Sequence, residues 1–220
     1  MDAAATAIPE QTALTNHPRD HQQDQPQAGR RAFFDTLLSR QSCWPLTGPG
    51  PSDAELDLIF DAALRAPDHG RLCPWRFVYL RDDARAELAE VLVDIAAARE
   101  PEKPRSAHEH RRQRAFAAPV IVALGSAVTP RSGIPEMEQL LSVGAAAMNM
   151  LNAIHALGYG GFWATGADAY DPRLQSALDF EPTDRLLGFL FIGTPKSGER
   201  SALRPPRANH VREWFGRSSI

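Results

Sequence analysis

The stretch "PEMEQLLSVGAAAMNMLNAIHALG", residues 135–158, decides the architecture. Apolar residues lie nearly all round a helix written on Glu136 to Leu157, so this helix is buried between layers or against another subunit. Gly144, Ala145, Ala146 and Ala147 let a second backbone come close to it. Directly after it, "YGGFWATGA" (159–167) reads as a short strand with glycine on both sides. "RLLGFLFIGTP" (185–195) reads as a fully buried strand ending in Gly-Thr-Pro.

Working back from there, "APVIVALG" (118–125) and "WRFVYL" (75–80) are strands, and "ARAELAEVLVDIAAA" (84–98) is an amphipathic helix. "SDAELDLIFDAALRAP" (52–67) opens with a Ser52–Glu55 capping box, sets Leu56, Ile59, Phe60, Ala63 and Leu64 on one stripe, and is stopped by Pro67. "RRAFFDTLLSRQS" (30–42) gives an earlier helix with Phe33, Phe34, Leu37 and Leu38 on one face, ending near Arg40. The polar block "EPEKPRSAHEHRRQRAF" (100–116) is expected to be a mobile, solvated excursion. The helix-first order and the long central helix exclude a doubly wound nucleotide fold, and neither GxGxxG nor GxxxxGK[ST] occurs.

Length and composition set the outer limits. A chain of 220 residues holds one domain with a sizeable core. Residues 1–29, rich in Gln, Asp, Pro and Ala, are expected to form a disordered tail ahead of a folded domain over 30–220. A net charge of -3 argues against a general nucleic-acid binder. Two cysteines, Cys43 and Cys73, suit a reducing cytoplasm rather than a disulfide framework. No apolar run reaches the roughly 20 residues that span a bilayer, so no membrane association is expected.

One turn needs a further explanation. "ALRAPDHGRLCPWRFVYL" (63–80) sets Arg65, Asp68, His69, Arg71 and Cys73 among Pro67, Gly70 and Pro74, either as a solvated loop or as a cationic rim for an anion. Asp68 is placed to orient Arg65 or His69 by hydrogen bond. His69 and Cys73 have the i, i+4 spacing of a helical metal pair, but the Pro-Gly context is not helical and no second pair appears, so no metal is expected.

Five segments in order, "SRQS", "RAPDHGRLCPWRF", "SVGAAAMNM", "GYGGFWATGA" and "GFLFIGTP", resemble the flavin-dependent nitroreductases, in their small single-domain NAD(P)H branch. The resemblance covers about Arg31 to Trp214. It implies an α+β fold of three layers, with a central mixed or antiparallel sheet flanked by helices, assembled as a homodimer. It also implies FMN as cofactor, NAD(P)H as electron donor, and a nitroaromatic, quinone or similar small molecule as acceptor. A dehalogenating or flavin-consuming relative, or a flavin-sequestering protein, shares the same pattern.

Position by position, the resemblance assigns Arg40 and Ser42 to the FMN phosphate and Gln41, where relatives carry a second arginine, to the ribityl chain or ring edge. Arg65 and His69 would meet the flavin from the partner subunit. Trp163, Ala164 and Thr165 would run beside the ring, with Trp163 as core filling the rival reading. Ala164 stands where relatives often carry a polar or basic residue. Cys73 is expected to be a buried thiol. Lys196, Arg200 and Arg204 are candidates for completing the phosphate site, or else belong to a solvated tail. No side chain is assigned as catalytic acid or base.

Overall fold

The computed structural model describes residues 24–196 and 203–216. The chain divides into two units, the first ending at Leu38 and the second beginning at Ser39. The first unit holds most of helix α1 (Asp24–Ser39). Residues 24–29, read from composition as tail, are therefore its opening turns; residues 1–23 lie outside the described residues. On the apolar face of α1, Phe33, Phe34 and Leu38 are exposed and Leu37 is half-buried.

The second unit is built on five strands: β1 (Leu46–Thr47), β2 (Trp75–Arg81), β3 (Val120–Ser126), β4 (Gly160–Ala164) and β5 (Arg185–Pro195). The sheet runs β1-β5-β3-β2, with β4 also on β5, and every strand pairing is antiparallel. One parallel contact is added where the incoming chain bridges Ser42 to Gly161. Helices α2 (Asp53–Ala63), α3 (Ala84–Arg99), α4 (Arg112–Ala115), α5 (Glu136–Ala156) and α6 (Pro172–Ala177) complete the unit.

All seven residues of β3 are buried. Successive side chains of a strand face opposite ways, so both faces of β3 must be covered. Ile121 and Ala123 join Leu88, Leu92 and Leu174 from α3 and α6. Val120, Val122 and Leu124 join Leu56 and Ile59 of α2 and Met150 and Ile154 of α5. The α+β three-layer arrangement follows from that alternation. Ser52 and Glu55 form the expected capping box, Ser52 Oγ taking the Glu55 N–H and Glu55 taking the Ser52 N–H at 2.8 Å.

The 100–116 block is a correction to the sequence reading. It is no mobile loop: a 3₁₀ segment (Arg105–Arg111) leads into α4, and both dock on α3. Arg105 donates to Glu90 at 2.7 Å and to Asp94 at 2.9 Å, and Arg112 pairs with Glu90 and Glu109. Composition describes the charge of such a block but not its partners, of which Glu90 and Asp94 lie on α3 and Asp168, 57 residues from Arg111, lies beyond β4.

Where β5 passes the end of β4 the register on β3 shifts, and Gly188 adopts φ +124°. A Cβ at Gly188 would stand 2.5 Å from the Ala164 carbonyl oxygen, which is backbone and cannot yield. Gly188→Ala is therefore expected to lower unfolding free energy by about 2–3 kcal/mol in denaturant titration. A loss of less than about 0.5 kcal/mol would show that the β4–β5 junction is not tightly determined.

Candidate active site

The segment 40–42 leaves α1 and runs along the start of β4. The Cys43 N–H donates to the Gly161 carbonyl at 3.1 Å, which fixes Ser42 against Gly161. Ser39 Oγ lies 2.8 Å from His155 Nε2, so this corner sits at the C-terminal end of α5. Arg40 Nη1 is buried and has no hydrogen-bond partner. Arg204 Nη2 donates to the Arg40 carbonyl oxygen at 2.7 Å. Burial, and then the charge of Arg204, pull the Arg40 pKa below its ordinary value. Among the described residues neither arginine pairs with a carboxylate, so two cations share one corner, and one buried N–H of Arg40 has no partner.

Of the three basic residues that sequence left undecided, the structure brings Arg204 to Arg40. Lys196 is exposed, its backbone N–H bonded to the Pro45 carbonyl at 3.1 Å. Arg200 lies outside the described residues.

From Gly161 to Ala164 is three strand residues, about 10 Å. At that far end Phe162 and Ala164 face the cluster that contains α3, whereas Trp163 faces the cluster that contains α5. Trp163 donates its indole N–H to the Leu187 carbonyl at 3.3 Å, which makes it a packing residue that fixes β4 against β5. Ala164 is half-buried and Thr165 exposed. Beside Ala164 opens a cleft of about 330 Å³, lined by Trp44, Phe162, Phe191, Ala164, Ala117, Gln113 and Arg114. Arg114 and Gln113 are residues sequence reading missed, because in the 100–116 charge run nothing distinguishes them from their neighbours.

Arg65 and His69 are placed elsewhere. The Pro67 carbonyl accepts Ser142 Oγ at 2.8 Å, and the same Ser142 Oγ accepts the Trp75 indole N–H at 2.9 Å, which bolts the turn to α5. Gly70, Arg71 and Cys73 all have left-handed backbone. Asp68 holds neither Arg65 nor His69; its carboxylate takes the Cys73 N–H at 2.7 Å and closes the turn. His69 is set instead by Glu138, with Nδ1 2.6 Å from Oε2. Arg65 is exposed and forms no ion pair among the described residues. Cys73 is exposed rather than buried, because the left-handed turn turns it outward.

His69 is thus tied to Glu138 and Arg40 adjoins the residue that meets His155. Seventeen helical residues separate those two anchors, about 25 Å along α5.

This arrangement defines a nitroreductase-like α+β protein, a likeness shared with the nitroreductase-like family protein from Bacillus cereus at TM-score 0.71 and 18% identity, covering 93% of this chain and all of that one. The chain belongs to the Nitroreductase family, whose pattern matches residues 37–194. It is 31% identical over 173 residues to the "Putative NAD(P)H nitroreductase YdjA" of Escherichia coli K12, covering 79% of this chain and 93% of that protein. A protein of Desulfovibrio desulfuricans, described as a putative nitroreductase in complex with FMN, superposes at TM-score 0.62 with 26% identity over 84% of this chain and 98% of its own. No described helix is long and apolar enough to cross a membrane.

The cleft rim depends on the docking of 105–115 onto α3. Glu90 is held down to about 2 by hydrogen bonds from Arg112 and then Arg105, against an ordinary value of 4.5. A depressed carboxyl stabilises the folded form above its ordinary pKa and loses that contribution as pH falls through the folded value. At pH 7, Glu90→Gln is expected to speed amide hydrogen exchange across 105–115. The wild type should show the same loosening between pH 4.5 and about 2, and the variant a smaller change across that window. Equal pH dependence in both proteins would exclude Glu90 as the staple.

Proposed function

We infer that the protein is an FMN-dependent NAD(P)H oxidoreductase that works as a homodimer and passes electrons to a nitroaromatic, quinone or similar small acceptor. The observation that carries this reading is the pair of cations at the start of β4. A buried guanidinium N–H without a partner, beside a second arginine and without a carboxylate, suits a phosphate dianion, which accepts several charge-assisted hydrogen bonds at once. Arg40, Ser42 and Arg204 would hold the phosphate. Gln41 would reach the ribityl chain, and the backbone of Trp163, Ala164 and Thr165 would border the ring about 10 Å away. When bound, FMN supplies hydride transfer between the nicotinamide and the acceptor. The aromatic wall of Trp44, Phe162 and Phe191 keeps water from the ring end of the cleft.

Two further observations support a dimer. Met137, Leu141 and Met148 are exposed at helical spacing on α5, an apolar stripe that a soluble monomer rarely leaves bare. The separation of about 25 Å along α5 between the anchors of the two groups supports Arg65 and His69 meeting a flavin held by a second copy.

Four measurements test this reading. The flavin should be bleached by NAD(P)H and recover when a quinone is added; a flavin that binds but never bleaches would leave a sequestering protein. Arg40→Ala should weaken FMN binding by about 2–5 kcal/mol in a flavin titration, with Arg204→Ala weaker in effect, and unchanged affinity in the first would exclude the phosphate role. Light scattering should report about twice the 24.2 kDa chain mass. Arg40→Ala and His69→Ala chains, co-refolded, should regain about half a flavin site per heterodimer. No regain in proven heterodimers would place each site within one chain.

A further inference from the structure

The turn that carries His69 is held at three points that do not involve its imidazole. The Pro67 carbonyl accepts Ser142 Oγ–H at 2.8 Å, and the Asp68 carboxylate accepts the Cys73 N–H at 2.7 Å. Gly70, at φ +74°, packs so closely that a Cβ there would stand 2.2 Å from Ile134 Cδ1. The backbone over 67–73 therefore has its path without help from the ring. The ring itself has one partner, Glu138, whose Oε2 lies 2.6 Å from Nδ1. Nε2 bonds to nothing among the described residues, and the side chain is 67% exposed.

Glu138 is in turn committed to that ring. Of the two acidic residues in the first turn of α5, Glu136 pairs with Arg185 at 3.0 Å, whereas Glu138 meets only His69 among the described residues. Glu138 and Ser142, one helical turn apart, present one face of α5 to the turn, Ser142 holding its backbone and Glu138 its imidazole. An ionised carboxylate only accepts, so this contact puts the proton on Nδ1 and leaves Nε2 of the neutral ring as an acceptor. The exposed Met137 and Leu141 precede Glu138 and Ser142 by one residue each, so the His69–Glu138 pair borders the apolar stripe of α5. An exposed imidazole with its tautomer and direction both set, at the margin of a face that a second copy would cover, is arranged for a ligand beyond its own chain.

We propose that Glu138 is a positioning residue of a shared flavin site: by holding Nδ1–H it turns Nε2 of His69 toward the FMN bound by a second copy of the chain. The proposal rests on the homodimer reading above for where the flavin lies, and on the Glu138–His69 contact alone for what sets the ring. Glu138 acts through His69 and needs no contact of its own with the flavin.

The tests use the full chain. In the flavin-free protein at about pH 8, where imidazoles are neutral, nitrogen-15 NMR should find the His69 proton on Nδ1, and Glu138→Ala should let the Nε2–H form appear. In a flavin titration, Glu138→Ala and His69→Ala should each weaken FMN binding by about three- to tenfold, the worth of one hydrogen bond. The double variant should be weaker than His69→Ala by no more than about twofold, because the two side chains act as one. Glu138→Gln, whose amide oxygen still accepts Nδ1–H, should stay within about twofold of wild type. Amide hydrogen exchange across 67–73 should be unchanged in Glu138→Ala, since the turn is held elsewhere. Co-refolded with Arg40→Ala chains, Glu138→Ala chains should regain one site of wild-type affinity per heterodimer; co-refolded with His69→Ala chains they should regain none. A wild-type ring protonated on Nε2, wild-type FMN affinity in Glu138→Ala, or a full extra loss in the double variant overturns the proposal. So does a Glu138→Gln as weak as Glu138→Ala, or faster exchange at 67–73, which would make Glu138 a structural residue only. The two readings fail separately: no regain from Arg40→Ala with His69→Ala chains overturns the shared site, whereas regain there without regain from Arg40→Ala with Glu138→Ala chains overturns this proposal.

Discussion

Burial of β3 on both faces is the constraint from which the rest of the second unit follows. A strand with seven buried residues needs a helical layer on each side, and α2 with α5 supply one while α3 with α6 supply the other. Once α5 is pressed on the sheet for its full length, its two ends become fixed points about 25 Å apart. The Arg40 corner is fastened near one through Ser39 and His155, and the Arg65–His69 turn near the other through Ser142 and Glu138. The same packing that makes the core stable therefore sets the candidate binding residues in two groups near opposite ends of α5.

Most of the element plan was legible because periodicity and capping are local. Glu136–Ala156, Arg185–Pro195 and the Ser52–Glu55 box fall where hydrophobic spacing and hydrogen-bonding side chains put them. The 100–116 block was not legible, since its order comes from carboxylates on α3 and a run of charges looks alike whether solvated or paired. The same limit applies to Asp68. Its neighbours in sequence suggested that it would orient Arg65 or His69, yet the left-handed path through Gly70, Arg71 and Cys73 brings the Cys73 N–H to it instead.

Within the site, the resemblance identified a line of residues but not their division of labour. Trp163 is tied to Leu187 on the α5 face of β4, while Phe162 and Ala164, one residue to either side, border the cleft. Strand alternation alone separates them, and it becomes usable only when the face of each neighbour is known. Arg204 could not be chosen over Lys196 from sequence, because its approach to Arg40 depends on how the chain returns after β5.

The distribution of charge gives the site its polarity. The chain has 24 basic and 27 acidic residues, so carboxylates are not scarce, and Arg99, Arg105, Arg111, Arg112 and Arg173 each find at least one. Arg40, Arg204 and Arg114 do not, among the described residues, and they stand at the two ends of the short strand β4. An unpaired and partly buried guanidinium is costly unless something negative completes it, which is why Arg40 is pulled below its ordinary pKa while the paired Arg112 is pushed above its own. The two uncompensated positive ends lie about 10 Å apart along the strand, with the aromatic cleft of Trp44, Phe162 and Phe191 at the Arg114 end. At that end, the missing Cβ of Gly188 keeps β5 clear of the Ala164 carbonyl and so fixes the path of β4 beside the cleft.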